Sequence, residues 1–250
     1  MAQKYTLVIG FRIDCALSIS NHPAVYSIIR AKKFVFKTMN QNERYIYLHG
    51  FASSPKSRKA VYLKNRFAQT RITLEIPDLN QGDFTHLTLT RQIEQTAAMF
   101  DNAATPITLI GSSFGGLTAV WLAQKYSQVQ KLVLLAPAFG FPGSWFDRFP
   151  QAELEQWQKS GYKNIYHYGE DKLLPLHYEF LADGDRYKRK DLKRSLPTLI
   201  IHGKNDDVVP IEVSRNYAAT HPTAKLIELD SDHGLNNVRE VIWQEIRNFC

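Results

Sequence analysis

The run Ile107-Thr108-Leu109-Ile110 passes directly into Gly111-Ser112-Ser113-Phe114-Gly115-Gly116, and a helical pattern follows from Leu117 to Tyr126. A short apolar run rich in β-branched residues is the mark of a strand covered on both faces. Glycines between it and a helix permit a tight turn that other residues resist. Strand, turn and helix in that order are one half of a β-α-β unit, so the chain is constrained to an α/β architecture with a mostly parallel sheet.

The rest of the chain repeats the alternation. Tyr45 to Leu48 is a strand-like run ending at His49-Gly50, and Ser54-Pro55 then reads as an N-cap with proline at the first helical position. Strands are expected at Ile72–Ile76, Leu132–Leu135, Thr198–Ile201 and Leu226–Leu229. Helices are expected near Leu87–Phe100, Ile211–Ala219 and Val238–Phe249. The alternation breaks only from about Phe139 to Leu196, too long and too apolar for a connection. That stretch holds a helical pattern at Glu153–Lys159 and two β-like runs, Ile165–Tyr168 and Leu176–Phe180, with Gly169–Lys172 between them as a hairpin loop. It is expected to form an inserted cap, about 139–196, over one edge of the sheet.

Charge is concentrated at one end. Residues 1–38 carry six basic residues and one acid, so the net +7 of the 250-residue chain leaves only +2 for residues 39–250. A near-neutral body offers no broad footprint for a phosphate backbone, and no nucleic-acid partner is expected. The leader shows no clean hydrophobic period; it reads as an upstream-start artefact or a disordered tail ahead of a domain at 39–250 that begins with Met39. No apolar run approaches the roughly 18 residues of a membrane span. Cys15 and Cys250 give neither metal-ligand spacing nor a disulfide framework, which points to a reducing, cytoplasmic setting.

Gly111-Ser112-Ser113-Phe114-Gly115 is a G-x-S-x-G, and a strand before it with a helix after it is the context of a nucleophile elbow. A serine hydroxyl needs an adjacent base. His233, in Asp230-Ser231-Asp232-His233-Gly234, follows the last strand run, where loops at strand carboxyl ends gather. His49 and His202 end strands as His-Gly pairs and read as loop supports, while the other five histidines have no special placement. An aspartate must orient the imidazole. Asp206 and Asp207 both lie beyond the Thr198–Ile201 strand, and spacing alone does not separate them. The order Ser, Asp, His is that of the hydrolases built on an α/β sheet.

These features together resemble the α/β-hydrolase superfamily: the alternating pattern, the G-x-S-x-G, and the H-G-x-x-D-x-x-V-P run of His202 to Pro210. Tyr47-Leu48-His49-Gly50-Phe51-Ala52-Ser53-Ser54-Pro55 resembles, more narrowly, the small YqiA-type esterases. The resemblance covers about residues 44–250 and implies an α/β-hydrolase fold with helices on both faces of the sheet. It implies Asp206 rather than Asp207 as the orienting acid, His233 as base and Ser113 as nucleophile. It further implies an oxyanion site at the backbone N–H groups of Phe51 and Phe114. The expected activity is hydrolysis of a small-molecule carboxylic ester or acyl thioester, without metal or organic cofactor. An acyltransferase or small-peptide hydrolase would use the same three residues, and a binding protein that has lost turnover is the alternative outside enzymes.

Two further features bear on substrate. Twelve of the 30 aromatic residues fall between Phe139 and Tyr187, suiting either an apolar wall for an acyl chain or the insert's own core. Lys188-Arg189-Lys190-Asp191-Leu192-Lys193-Arg194 is a basic cluster that reads as a solvated helix face or as a hold on the phosphates of an acyl-CoA.

Overall fold

Continuous apolar strands dictate a sheet buried on both faces. In the structure, a computed structural model that describes residues 39–101, 105–187 and 192–250, that sheet has six strands. They are β1 (Arg44–Leu48), β2 (Leu74–Glu75), β3 (Ile107–Ser112), β4 (Val129–Leu135), β7 (Thr198–Gly203) and β8 (Ala224–Leu229). All pairings are parallel, in the order β2-β1-β3-β4-β7-β8. Every residue of β3 and β7 is buried, as the unbroken apolar runs require. The leader and the Lys188–Asp191 part of the basic cluster lie outside the described residues.

Alternate side chains of one strand serve two cores. Ile46, Leu48 and Leu109 face a layer containing α2 (Leu89–Ala97) and α3 (Phe114–Lys125). Tyr45, Tyr47 and Ile110 face the opposite layer, where α1 (Arg58–Gln69) and α8 (Arg239–Phe249) contribute Leu63, Phe67, Trp243 and Ile246. A further helix, α7 (Glu212–Thr220), lies between β7 and β8 in the chain and packs on β8. Helices therefore cover both faces, as expected. The two faces differ in consequence: α3 is buried almost all round, since a third layer lies over it.

That third layer comes from the insertion between β4 and β7. It contains α4 (Gly143–Phe146), α5 (Gln151–Ser160), a two-stranded antiparallel hairpin of β5 (Tyr162–His167) and β6 (Lys172–His177), and α6 (Glu179–Gly184). Phe141, Trp157 and Phe180 join the core formed with Phe114 and Leu117, and α6 packs on α2. The insertion thus lies against α2 and α3, rather than over a sheet edge. The hairpin is also tied to the loop after β1, where the Gly169 N–H donates to the Ala52 carbonyl at 3.4 Å.

Local expectations shift where a competing bond wins. The helix expected from Ser54-Pro55 begins three residues later. Ser54 instead closes a turn with the Lys56 and Ser57 amides, and Ser57 caps α1 by accepting from the Ala60 N–H. The expected strand at Leu176–Phe180 is split, because β6 ends at His177 and α6 begins at Glu179.

Arg194, from the basic cluster, is neither a solvated face nor a phosphate site. Its guanidinium donates to four carbonyls between the last turn of α3 and the first residue of β4: Ala123 at 2.6 Å, Tyr126 at 2.7 Å, Ser127 at 3.1 Å and Val129 at 2.7 Å. A cation there satisfies orphaned helix carbonyls and opposes the helix dipole. Arg194→Met should therefore cost about 2 kcal/mol, lowering Tm by about 4–8 °C. A thermal melt unchanged within a degree would contradict this role.

Candidate active site

A sheet order that runs from β1 outward to β2 and then back to β3 opens a crevice at the carboxyl ends of β1 and β3. The Phe51 loop leaves β1 on one side of it, and Ser113 leaves β3 on the other. Ser113 has φ 53° and ψ −116°, in the left-handed half of the map where a non-glycine residue is strained by roughly 1–3 kcal/mol. Backbone bonds hold it there. Its N–H donates to the Leu135 carbonyl at 2.9 Å, and its own carbonyl accepts from Gly116, Leu117 and Ala138. The neighbouring glycines are required by close approach. A Cβ on Gly115 would meet the backbone of Leu48 and His49, and one on Gly111 would stand 2.6 Å from the Gly116 Cα.

The hydroxyl so presented meets an imidazole. His233 Nε2 lies 3.1 Å from Ser113 Oγ, and its Nδ1 lies 2.8 Å from Asp206 Oδ2. Asp206 follows β7 and His233 follows β8, so neighbouring strands deliver both. The Asp206 side chain is wholly buried, whereas Asp207 is exposed. Three expected residues are thus brought together, and the competing aspartate is not among them.

Asp206 is held from several sides. Its Oδ1 accepts from the Val208 and Val209 amides at 2.9 and 2.7 Å, and its Oδ2 accepts from His202 Nε2 at 3.1 Å. Burial pushes this carboxyl up, but the hydrogen bonds from His202, His233 and Val209 outweigh burial and hold it well below the usual carboxylate range. His202 is a loop support as expected, with Nε2 also 2.9 Å from the Val209 carbonyl and Nδ1 2.7 Å from Ser214 Oγ. Its second service, a hydrogen bond to Asp206, has no signature in the sequence. His49 likewise supports a loop: its Nε2 accepts from the Leu79 N–H at 3.0 Å.

Phe51 and Phe114 both border the cavity above Ser113, and Phe114 is the first residue of α3. The β1 loop is close enough that a Cβ on Gly50 would stand 4.0 Å from Ser113 Oγ. The cavity encloses about 440 Å³. Two of its lining rings, Phe51 and Phe114, lie 6.4 Å apart, centroid to centroid, and pack on the buried Phe180 ring at 4.9 and 5.3 Å. Phe149, Tyr166 and Tyr168 of the insertion line its outer wall, while Phe141, Trp157 and Phe180 are buried in the core. The aromatic-rich insert therefore contributes both to the cavity lining and to the buried core. Two charged lining residues escaped the sequence reading altogether, Lys59 of α1 and Arg148 of the insertion. Among the described residues, no group of three His, Cys, Asp or Glu side chains is arranged to hold a metal ion. Nor is any described helix long and apolar enough to cross a membrane.

Solved structures share this architecture at low identity. Alpha/beta hydrolase domain-containing protein 10 from mouse matches with a TM-score of 0.67 and 19% identity, over 81% of this chain and 87% of that one. Est1E from Butyrivibrio proteoclasticus, bound to ferulic acid, matches with a TM-score of 0.67 and 19% identity, over 86% and 90%. The monoacylglycerol lipase of Paleococcus ferrophilus matches with a TM-score of 0.65 and 14% identity, over 84% and 96%. The fold is that of the α/β hydrolases. The family model described as "Uncharacterised protein family (UPF0227)" matches residues 44–250, from the first residue of β1 to the last of the chain, and the protein belongs to that family.

Proposed function

We propose that this α/β hydrolase cleaves carboxylic esters or acyl thioesters of small molecules through an acyl-enzyme formed on Ser113. The observation that carries the reading is the chain of contacts from Ser113 Oγ through His233 to Asp206, opening on a largely apolar cavity. Ser113 Oγ attacks the acyl carbonyl carbon while His233 Nε2 takes its proton. The oxyanion so formed accepts from the Phe51 and Phe114 backbone N–H groups. Collapse expels the alcohol or thiol, which leaves with the proton from His233. Water then attacks the acyl-serine with His233 again as base, releasing the acid and restoring the hydroxyl. The ferulic acid bound to Est1E and the lipase named among the similar structures support a carboxylic acyl group over other leaving chemistries. With only two cysteines, widely separated and without a disulfide framework, the reducing cytoplasm is the proposed setting.

The test is a set of initial rates on p-nitrophenyl esters from acetyl to palmitoyl and on acyl-CoA thioesters. Turnover dependent on Ser113, with an optimum in acyl length, is the expected outcome. Equal and negligible rates for the protein and its Ser113→Ala variant on every substrate would sink the proposal.

A further inference from the structure

Lys59 is a charged group of the cavity that the proposed chemistry does not use. It is the second residue of α1, two positions after the Ser57 cap, and lines the same cavity as Ser113 and His233. Among the described residues its ammonium has no hydrogen bond and no ion pair, although a half-buried lysine ordinarily finds a carboxylate. Arg148 lines the cavity from the insertion; its guanidinium donates to the Val208 carbonyl and makes no ion pair with a described residue. No aspartate or glutamate is among the described side chains that line the cavity. Two cations thus face a small, mostly apolar space with no carboxylate in its described lining, and of the two carboxylates that act on Lys59 from beyond it, Asp206 is already bound by two histidines.

We propose that the substrate is an ester or thioester carrying its own anionic oxygen group, a carboxylate or a phosphate, which Lys59 binds together with Arg148 of the same cavity lining. The inference rests on the hydrolase reading above and narrows its substrate class. An uncompensated ammonium beside apolar walls is costly in the free protein, and a substrate anion removes that cost while fixing the acyl carbonyl against Ser113. Burial pushes Lys59 down to about 8, against the opposing pull of Asp206 and Asp232. Facing it are those two carboxylates, from the loops after β7 and β8, the Tyr47 phenol from β1, and Arg239 at the start of α8. Below pH 8 the lysine is charged and the anion is favoured; above it the preference fades. Comparing charged and neutral esters as a ratio cancels any pH effect on the catalytic steps that both share.

Three pairs read this: p-nitrophenyl adipate monoester against the hexanoate, O-butyryl lactate against its amide, and butyryl glycerol phosphate against butyryl glycerol. In at least one pair the anionic member should have the higher kcat/KM at pH 7, by about tenfold or more. The pair that responds tells carboxylate from phosphate. Lys59→Met should bring that ratio toward one, and Lys59→Arg should restore most of it. Independently of turnover, free adipate or glycerol phosphate should slow fluorophosphonate labelling of Ser113 in the parent protein and not in Lys59→Met. Neutral esters hydrolysed with every ratio near one would overturn this inference and leave the hydrolase standing. A ratio or a protection that survives Lys59→Met would overturn it too. Failure of both turnover and Ser113 labelling would overturn the hydrolase reading and this inference with it.

Discussion

Ser113→Ala should lower kcat on the best ester by about six orders of magnitude, His233→Ala should do about the same, and the double variant should lose little more. The physical reason is that the two atoms work as one device. Without the imidazole 3.1 Å away, the hydroxyl keeps its proton; without the hydroxyl, the imidazole has nothing to deprotonate at the carbonyl. The measurement is kcat for the three variants, with circular dichroism and melting to confirm folding. Alanine at position 113 inherits the same φ of 53° and fills no new space, so the elbow itself should persist. Losses that add in the double variant would mean that the residues act separately, against the proposed mechanism.

The elbow was legible because three physical demands coincide there. A strand buried on both faces needs an unbroken apolar run, which Ile107–Ile110 supplies. A sharp exit from it needs glycines where backbones touch, which Gly111 and Gly115 supply against Gly116 and Leu48. The one side chain lifted into the crevice must then be Ser113. Element ends were less legible. The helix after Ser113 begins at Phe114, three residues ahead of its expected start at Leu117, because Gly115 and Gly116 sit inside it despite their low propensity. Tertiary contact with β1 and with Pro137 explains their presence. The second strand shrinks from Ile72–Ile76 to Leu74–Glu75, paired only with β1 at the sheet edge.

Within the site, sequence order identified Ser113 and His233, because a turn and a strand end mark them. What it missed are relations between distant segments. Lys59 belongs to a helix whose pattern reads as an ordinary amphipathic one, and only the folding of α1 beside the crevice makes its charge conspicuous. Arg148 sits in an irregular stretch with no periodicity to place it. Arg194 looked like part of a charge run, yet four carbonyls from the end of α3 to the start of β4, about seventy positions upstream, accept from it. In each case the missing information is which other segment arrives, and no local pattern encodes that.

The second large effect concerns the adjacent aspartates. Asp206→Asn should reduce kcat/KM by about 10³- to 10⁴-fold at neutral pH, while Asp207→Asn, at an exposed position, should stay within about twofold. In the parent protein both oxygens of Asp206 accept: Oδ1 from the Val208 and Val209 amides, Oδ2 from His202 and His233. Asparagine can keep the first pair, which fixes its NH2 where Oδ2 was. That NH2 then faces the His202 Nε2–H as donor to donor, and can be satisfied only by donating to His233 Nδ1. The His233 proton moves to Nε2, and the nitrogen beside Ser113 ceases to be a base. The pH dependence separates this from simple unfolding. Because the folded Asp206 carboxyl is held far below its unfolded value, the stability it contributes is present above the unfolded range of about 4 and is lost only as pH falls toward the folded value. The carboxylate therefore stays charged far below neutral pH, and loss of activity through that group is expected only in strong acid. A variant that only weakened the fold would regain activity on cooling. The asparagine variant should remain folded near neutral pH and stay slow at every temperature, because its fault is the position of one proton.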